Sequence, residues 1–175
     1  MYFKQIDEIV AGTKTCTQRV VKPNEYEHVN GDGEITLVMT VGRQPRTAGS
    51  QYNPGRVKWQ VGRDYDVSPG RGKLRALVNW TCQPPHILLP DNGRELLVGL
   101  ASGHKSLRIR VLQIECVPLH STDERVALAE GVENLAAYID LWGVINGVKA
   151  WLRNPMVWRL WFEVVTAAPT AGEGS

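Results

Sequence analysis

The sequence predicts an α+β fold in which short strands build a barrel-like sheet and a few short helices flank it. Three observations predict it. Stretches rich in β-branched residues or alternating apolar and polar residues recur from Thr13 to Val164. Helical spacing of apolar residues is confined to brief segments near the start and between residues 122 and 142. Glycine and proline, 17 and 10 of the 175 residues, break the chain at short intervals, as expected of many strands with few helices.

Taken in order, Tyr2 to Ala11 reads as a short amphipathic helix. Phe3, Ile6 and Val10 share one face, and Gly12 is placed to end it. Thr13, Thr15, Thr17, Val20 and Val21 then favour extended backbone until Lys22-Pro23-Asn24 interrupts it. Ile35 to Val41 is a strand, and the polar stretch from Gly42 to Gly55 is a long loop. Trp59 to Val67 reads as a turn followed by a short strand, and Leu74 to Trp80 as another strand. Beyond Pro84-Pro85, two strands are expected around Ile87–Leu89 and Glu95–Leu100. Ser106 to Leu119 is the longest strand candidate, with Leu107, Ile109 and Val111 alternating against Arg108 and Arg110.

Ser121 or Thr122 can cap a helix that begins near Asp123-Glu124. A second helix is expected from Val132 to Trp142, with Leu135, Ile139 and Trp142 on one face. After Pro155 comes a final strand, with Met156, Trp158, Leu160, Phe162 and Val164 on one side and Arg159 and Glu163 on the other. Residues 1–165 are therefore read as a single domain and 166–175, small and polar, as a flexible tail. Trp80, Trp142, Trp151, Trp158 and Trp161 are core candidates.

Composition narrows the function classes. No run of about 18 apolar residues is present, and the first residues lack the basic start and apolar stretch of a secretory signal. A cytoplasmic protein that does not span a membrane is the expectation. Cys16, Cys82 and Cys116 lack CxxC spacing, which favours reduced thiols over a disulfide framework. Cys82 and His86 are the nearest approach to a metal pair, without a second pair to complete a site, so no metal is expected. From Arg43 to Arg75 there are eight basic residues against Asp64 and Asp66, a local excess of +6 in a chain of net charge +2. With Tyr52, Trp59 and Tyr65 interleaved, that segment could follow a phosphate backbone and stack on bases, or it could be a solvated loop.

The most informative segment is Gly12-Thr13-Lys14-Thr15-Cys16-Thr17-Gln18-Arg19. A glycine ends a helix, a lysine projects from the turn, and a threonine and an arginine follow two apart on a strand. That spacing places the Thr17 hydroxyl and the Arg19 guanidinium on one face, where they can hold an anionic or carbonyl-bearing ligand. An exposed polar strand after a helix stop is the alternative.

Further segments lie along the chain in order. They are Trp59-x-x-Gly62-x-Asp64-Tyr65-x-Val67 with Pro69-Gly70-Arg71-Gly72-Lys73, then Asp123-Glu124-x-x-Ala127-x-Ala129-Glu130-Gly131, then Pro155-Met156-Val157-Trp158-x-x-Trp161-Phe162-Glu163. In order and character this set resembles the ASCH family, whose members share a PUA-like pseudobarrel, over the stretch from Ile6 to Val164. Relative to small ASCH proteins the chain carries insertions near 24–56 and 83–106.

The resemblance implies an RNA- or nucleoside-binding cleft and no cofactor. Some ASCH proteins resemble amidohydrolases that remove the acetyl group of N4-acetylcytidine with a lysine, a threonine and a glutamate. Those roles fall on Lys14, Thr17 and Glu130. Lys14, stripped of water, would accept a proton from Thr17 or from a water that it holds, and Glu130 would orient Lys14 or pass a proton to the leaving amine. Arg19 would bind a phosphate or a carbonyl oxygen, with Trp59, Arg71 and Lys73 as further ligand contacts. The competing assignments are an ion pair of Lys14 with Glu130 that only lines a cleft, a strand-edge hydrogen bond for Thr17, and a core position for Trp59. Asp123 and Glu124 fit a helix start better than catalysis. A non-catalytic RNA-binding module or a regulatory adaptor remains the alternative function.

Overall fold

A computed structural model describes residues 2–3, 6–41, 55–69 and 107–165. The expected strands at Leu74–Trp80, Ile87–Leu89 and Glu95–Leu100 lie outside the described residues, as do the insertion near 83–106 and the tail.

The first residues depart from the expected single helix. Tyr2–Phe3 is a strand, β1, and only Ile6–Val10 is helical, as α1. The reason is pairing: β1 runs parallel to β6 (Asp64–Pro69), Tyr2 opposite Ser68, which satisfies the backbone in extended form. Gly12 stops α1 as expected, with φ +76, and its N–H donates to the Ile9 carbonyl at 3.1 Å. β2 (Cys16–Val20) follows.

The stretch after Lys22-Pro23 enters the sheet. β3 (Glu25–Val29) and β4 (Ile35–Thr40) form an antiparallel hairpin. Its turn is closed by Asn30, whose Oδ1 accepts from the N–H groups of Asp32 at 3.0 Å and Glu34 at 2.9 Å. β4 pairs on its other side with β5 (Arg56–Gln60). Trp59 therefore lies within a strand and not in a turn, because it pairs with Val38. The turn comes three residues later, at Gly62, φ +77.

Two long strands organise the rest. β7 (Leu107–Pro118) and β8 (Met156–Val165) pair antiparallel from Arg108 opposite Val165 to Pro118 opposite Met156, with an irregularity between Val111 and Gln113. β7 also pairs with β6 and touches β4 through Ile35 and Ile114, while β8 pairs with β2 on its other edge. Among the described residues, eight strands form one mostly antiparallel sheet, and their pairings branch from β7 without closing into a ring.

Between β7 and β8 lie a 3-10 turn, Leu119–Ser121, and two helices, α2 (Glu124–Ala129) and α3 (Leu135–Asn146). Asp123, not Ser121 or Thr122, caps α2, accepting from Val126 N–H at 2.9 Å. The two hydroxyls turn back instead, Ser121 to the Pro118 carbonyl and Thr122 to that of Leu119, both at 2.7 Å, and so close the 3-10 turn. α3 starts three residues later than expected because Asn134 caps it, and it continues to Asn146.

β8 divides the interior. Trp158 and Leu160 join Val38, Trp59, Val111 and Ile114 in one core, while Val157 packs with Leu119, Ala127, Tyr138, Trp142 and Ala150 in a second. Each large apolar side chain fully removed from water stabilises the fold by about 1.5–3 kcal/mol. The first part of β8, Val157 to Leu160, is covered on both faces, whereas Glu163 is exposed as expected and pairs with Arg110 at 3.6 Å. Arg159, expected on the same polar side, is buried and reaches Glu115 at 3.1 Å and Ser121 Oγ at 3.0 Å. Met156, expected on the apolar face, is exposed at the strand's start.

Candidate functional site

The left-handed backbone at Gly12 swings the chain back over the end of α1, where the N–H groups of Thr13 and Lys14 both donate to the Glu8 carbonyl at 3.0 Å. Lys14 is thereby brought beside the residue that caps the C-terminus of α2, Glu130, and their backbones form an isolated antiparallel bridge. Its neighbour Thr15 continues the contact, donating its N–H to the Ala129 carbonyl at 2.8 Å.

Lys14 and Glu130 are 3% and 6% exposed. Lys14 Nζ donates to the Glu130 carbonyl oxygen at 2.7 Å and to its carboxylate Oε2, and the other carboxylate oxygen accepts from the backbone N–H of Gln18. An ammonium has three N–H bonds, so two are occupied and one remains for a ligand. Gly131 completes the turn with φ +81. A Cβ there would stand 3.1 Å from Glu8 Cβ and 3.2 Å from Lys14 Cβ, so the close approach requires glycine.

Strand β2 delivers the remaining groups. Thr17 is 5% exposed, and its hydroxyl makes no hydrogen bond to another described residue. Arg19 shares its face. Burial pulls the Arg19 guanidinium below its ordinary pKa, and the Glu130 carboxylate opposes that shift. Lys14, Thr17, Arg19 and Glu130 all line one cavity of about 640 Å³, within the size range of small-molecule sites. Trp59 reaches the same cavity from the first core, with the Lys58 ammonium 3.9 Å from its ring centroid. Trp59 thus serves as core and as wall. Arg71 and Lys73 lie outside the described residues, as do Cys82 and His86.

Further residues complete the wall, and of these Gln18 and Lys22 stand out in no sequence pattern. Gln18 occupied an unspecified position of the motif. Its amide lies between Thr122, Tyr138 and Arg159, and with the oxygen turned to Arg159 Nε at 3.0 Å and the nitrogen to the Tyr138 hydroxyl both ends of the amide are satisfied. Tyr138 and Trp142, one helical turn apart on α3, are the buried residues of its inner face, whereas Ile139 is only half-buried. Spacing from Trp142 could have found Tyr138. Burial raises the Tyr138 phenol above its ordinary pKa, with Glu130 adding to the shift. Lys22, Arg56, Lys58 and Tyr65 also line the cavity.

Comparison with protein-family models, with curated proteins and with solved structures returns no significant match. Among the described residues, no three His, Cys, Asp or Glu side chains gather closely enough to hold a metal ion. No helix among them is long and apolar enough to cross a membrane. The arrangement offers a carboxylate coupled to a buried lysine, a hydroxyl beside an arginine, and an aromatic and cationic wall.

Proposed function

We propose that the chain is an ASCH-type, PUA-like protein that binds RNA or a nucleoside and hydrolyses an acylated cytidine such as N4-acetylcytidine. The convergence of Lys14, Thr17, Arg19 and Glu130 on one cavity wall carries this reading. A mostly antiparallel sheet with short helices packed across β8 is compatible with a PUA-like pseudobarrel.

In this reading the amide carbonyl of the acylated base lies beside Thr17 and the free N–H of Lys14. Lys14 passes a proton to Glu130 and accepts one from Thr17, or from a water held by Thr17, as the oxygen bonds to the carbonyl carbon. The carbon–nitrogen bond then breaks, and the departing exocyclic amine takes its proton from the Lys14–Glu130 pair. Attack by water releases acetate and cytidine directly. Attack by Thr17 leaves an acyl ester that a second water cleaves. Arg19 cannot exchange protons near neutrality and holds an oxygen of the ligand.

The test is release of cytidine from N4-acetylcytidine, followed by chromatography. Wild-type protein is expected to turn over, and Lys14→Ala and Glu130→Ala to fail. Because those two changes also disturb a buried ion pair, Thr17→Val is the decisive variant: it keeps the side chain's volume and should keep the native circular dichroism while losing turnover. An inactive wild type, or a fully active Thr17→Val, refutes the hydrolytic assignment.

A non-catalytic RNA-binding or adaptor module is the second reading. It is favoured by the way the Lys14–Glu130 pair ties α2 to the turn before β2, a structural task that needs no chemistry. It expects RNA affinity that falls steeply with salt, without turnover.

A further inference from the structure

The cavity's wall carries more positive charge than its carboxylates match. Arg19, Lys22, Arg56 and Lys58 all line it, from β2, the residues just after it, and β5. Arg56 and Lys58 are two apart on one strand and so share a face. Lys58 lies near enough to Arg19 and Lys22 for both to disfavour its charge, although its own burial is the larger effect.

The carboxylates nearby are already engaged. Glu25 accepts from Lys58, from Trp158 Nε1 at 2.8 Å and from the Lys22 backbone N–H at 3.2 Å. Glu130 is held by Lys14 and Gln18. Neither Lys22 nor Arg56 has an ion pair with a described carboxylate. Clustered cations in a cavity repel one another unless an anion with several acceptor oxygens joins them, and a phosphate has that chemistry. The Trp59 ring under Lys58 limits where that ammonium can go.

We infer that Arg19, Lys22, Arg56 and Lys58 form a phosphate subsite, so that the cavity holds a phosphate-bearing ligand more tightly than a bare nucleoside. Strand geometry separates it from the reacting end. Arg19 and Thr17 share a face of β2 at about 7 Å along the strand, so phosphate and acylated base occupy adjacent positions. The inference rests on the proposed function for the base end of the ligand and adds the phosphate end. That phosphate belongs either to a mononucleotide or to an RNA chain.

Titration calorimetry on the full chain tests it with cytidine, cytidine 5′-monophosphate, ribose 5-phosphate and a short oligocytidylate with hydroxyl ends. The monophosphate is expected to bind at least about tenfold more tightly than cytidine, from charge-assisted hydrogen bonds. Arg56→Ala and Lys22→Ala should each narrow that gap. Oligocytidylate binding with the same dependence on Arg56 and Lys22 assigns the phosphate to an RNA chain, and its absence assigns it to a mononucleotide. Ribose 5-phosphate separates the two proposals. If it binds through Lys22 and Arg56 while N4-acetylcytidine is not hydrolysed, the subsite stands and the hydrolytic reading falls. Equal affinity for cytidine and its monophosphate, or a gap indifferent to both substitutions, overturns the subsite even if hydrolysis is observed.

Discussion

Lys14 and Glu130, 116 positions apart in the chain, meet through backbone and side chain together: an isolated β-bridge joins them, and Lys14 Nζ donates to both the carbonyl and the carboxylate of Glu130. Removing one partner leaves the other buried and charged. Lys14→Met is therefore expected to cost about 3–5 kcal/mol of stability, read from the urea midpoint at constant slope. A loss below about 1 kcal/mol would mean that the carboxylate escapes to water, and the pair would not be the clamp described here.

Gly131 and Gly62 provide a matched comparison, since both have φ near +80 but only Gly131 is crowded. Gly62→Ala should cost about 1–2 kcal/mol, the penalty of a left-handed backbone alone. Gly131→Ala should cost more and should also disturb Lys14, whose Cβ the new methyl meets. Equal losses in thermal unfolding would show that the contact with Glu8 and Lys14 relaxes freely.

Glu25 links stability to acid. Its burial favours the neutral acid, but hydrogen bonds from Lys58, Trp158 and Lys22 outweigh this and hold its pKa below the ordinary 4.5. A carboxylate with a lowered folded pKa stabilises fully above its unfolded value, and the contribution fades as pH falls through the folded one. Glu25→Gln should lose about 1–3 kcal/mol at pH 7, and the deficit should shrink below about pH 4.5. Urea midpoints at pH 7 and pH 3.5 measure it, and a deficit unchanged with pH contradicts the assignment.

Cys16 faces the interior next to the site. Burial, with a smaller effect from Glu130, pushes its thiol well above the ordinary range, so little reactive thiolate forms. Native protein treated with an alkylating reagent at pH 8 should leave Cys16 unmodified by peptide mass mapping, and unfolding in urea should expose it. Native labelling at the unfolded rate would contradict the packing of β2 on β8.

Local pattern revealed most of the described strands and the approximate positions of both later helices, because alternation and capping residues act over a few positions. It misplaced what distant pairing decides. Tyr2 and Phe3 fit a helical face, yet β6 draws them into the sheet. Arg159 fits a polar strand face, yet it is buried, with Gln18, Glu115 and Ser121 as its partners. Spacing in the segment after Gly12 singles out Thr17 and Arg19, while Glu130 is reached only through the family resemblance. Lys22 and Gln18 give no such signal, because their importance comes from which strands lie beside them, a property that no short window contains. Tyr138 lies one helical turn before Trp142 and so is within reach of periodicity, and it is buried where the expected Ile139 is only half-buried.

Among the described residues, β2 has β8 as its only strand partner. A ribosome makes about 5–20 residues per second, so Thr17 and Arg19 leave the exit tunnel on the order of ten seconds before the segment that must flank them. The nascent chain spends that interval with β2 unpaired, and closure between such remote segments is slow. Assembly of this site is therefore a late event, and a stalled or shortened transcript that never reaches residue 156 yields a product in which the threonine and arginine have nothing to lean against.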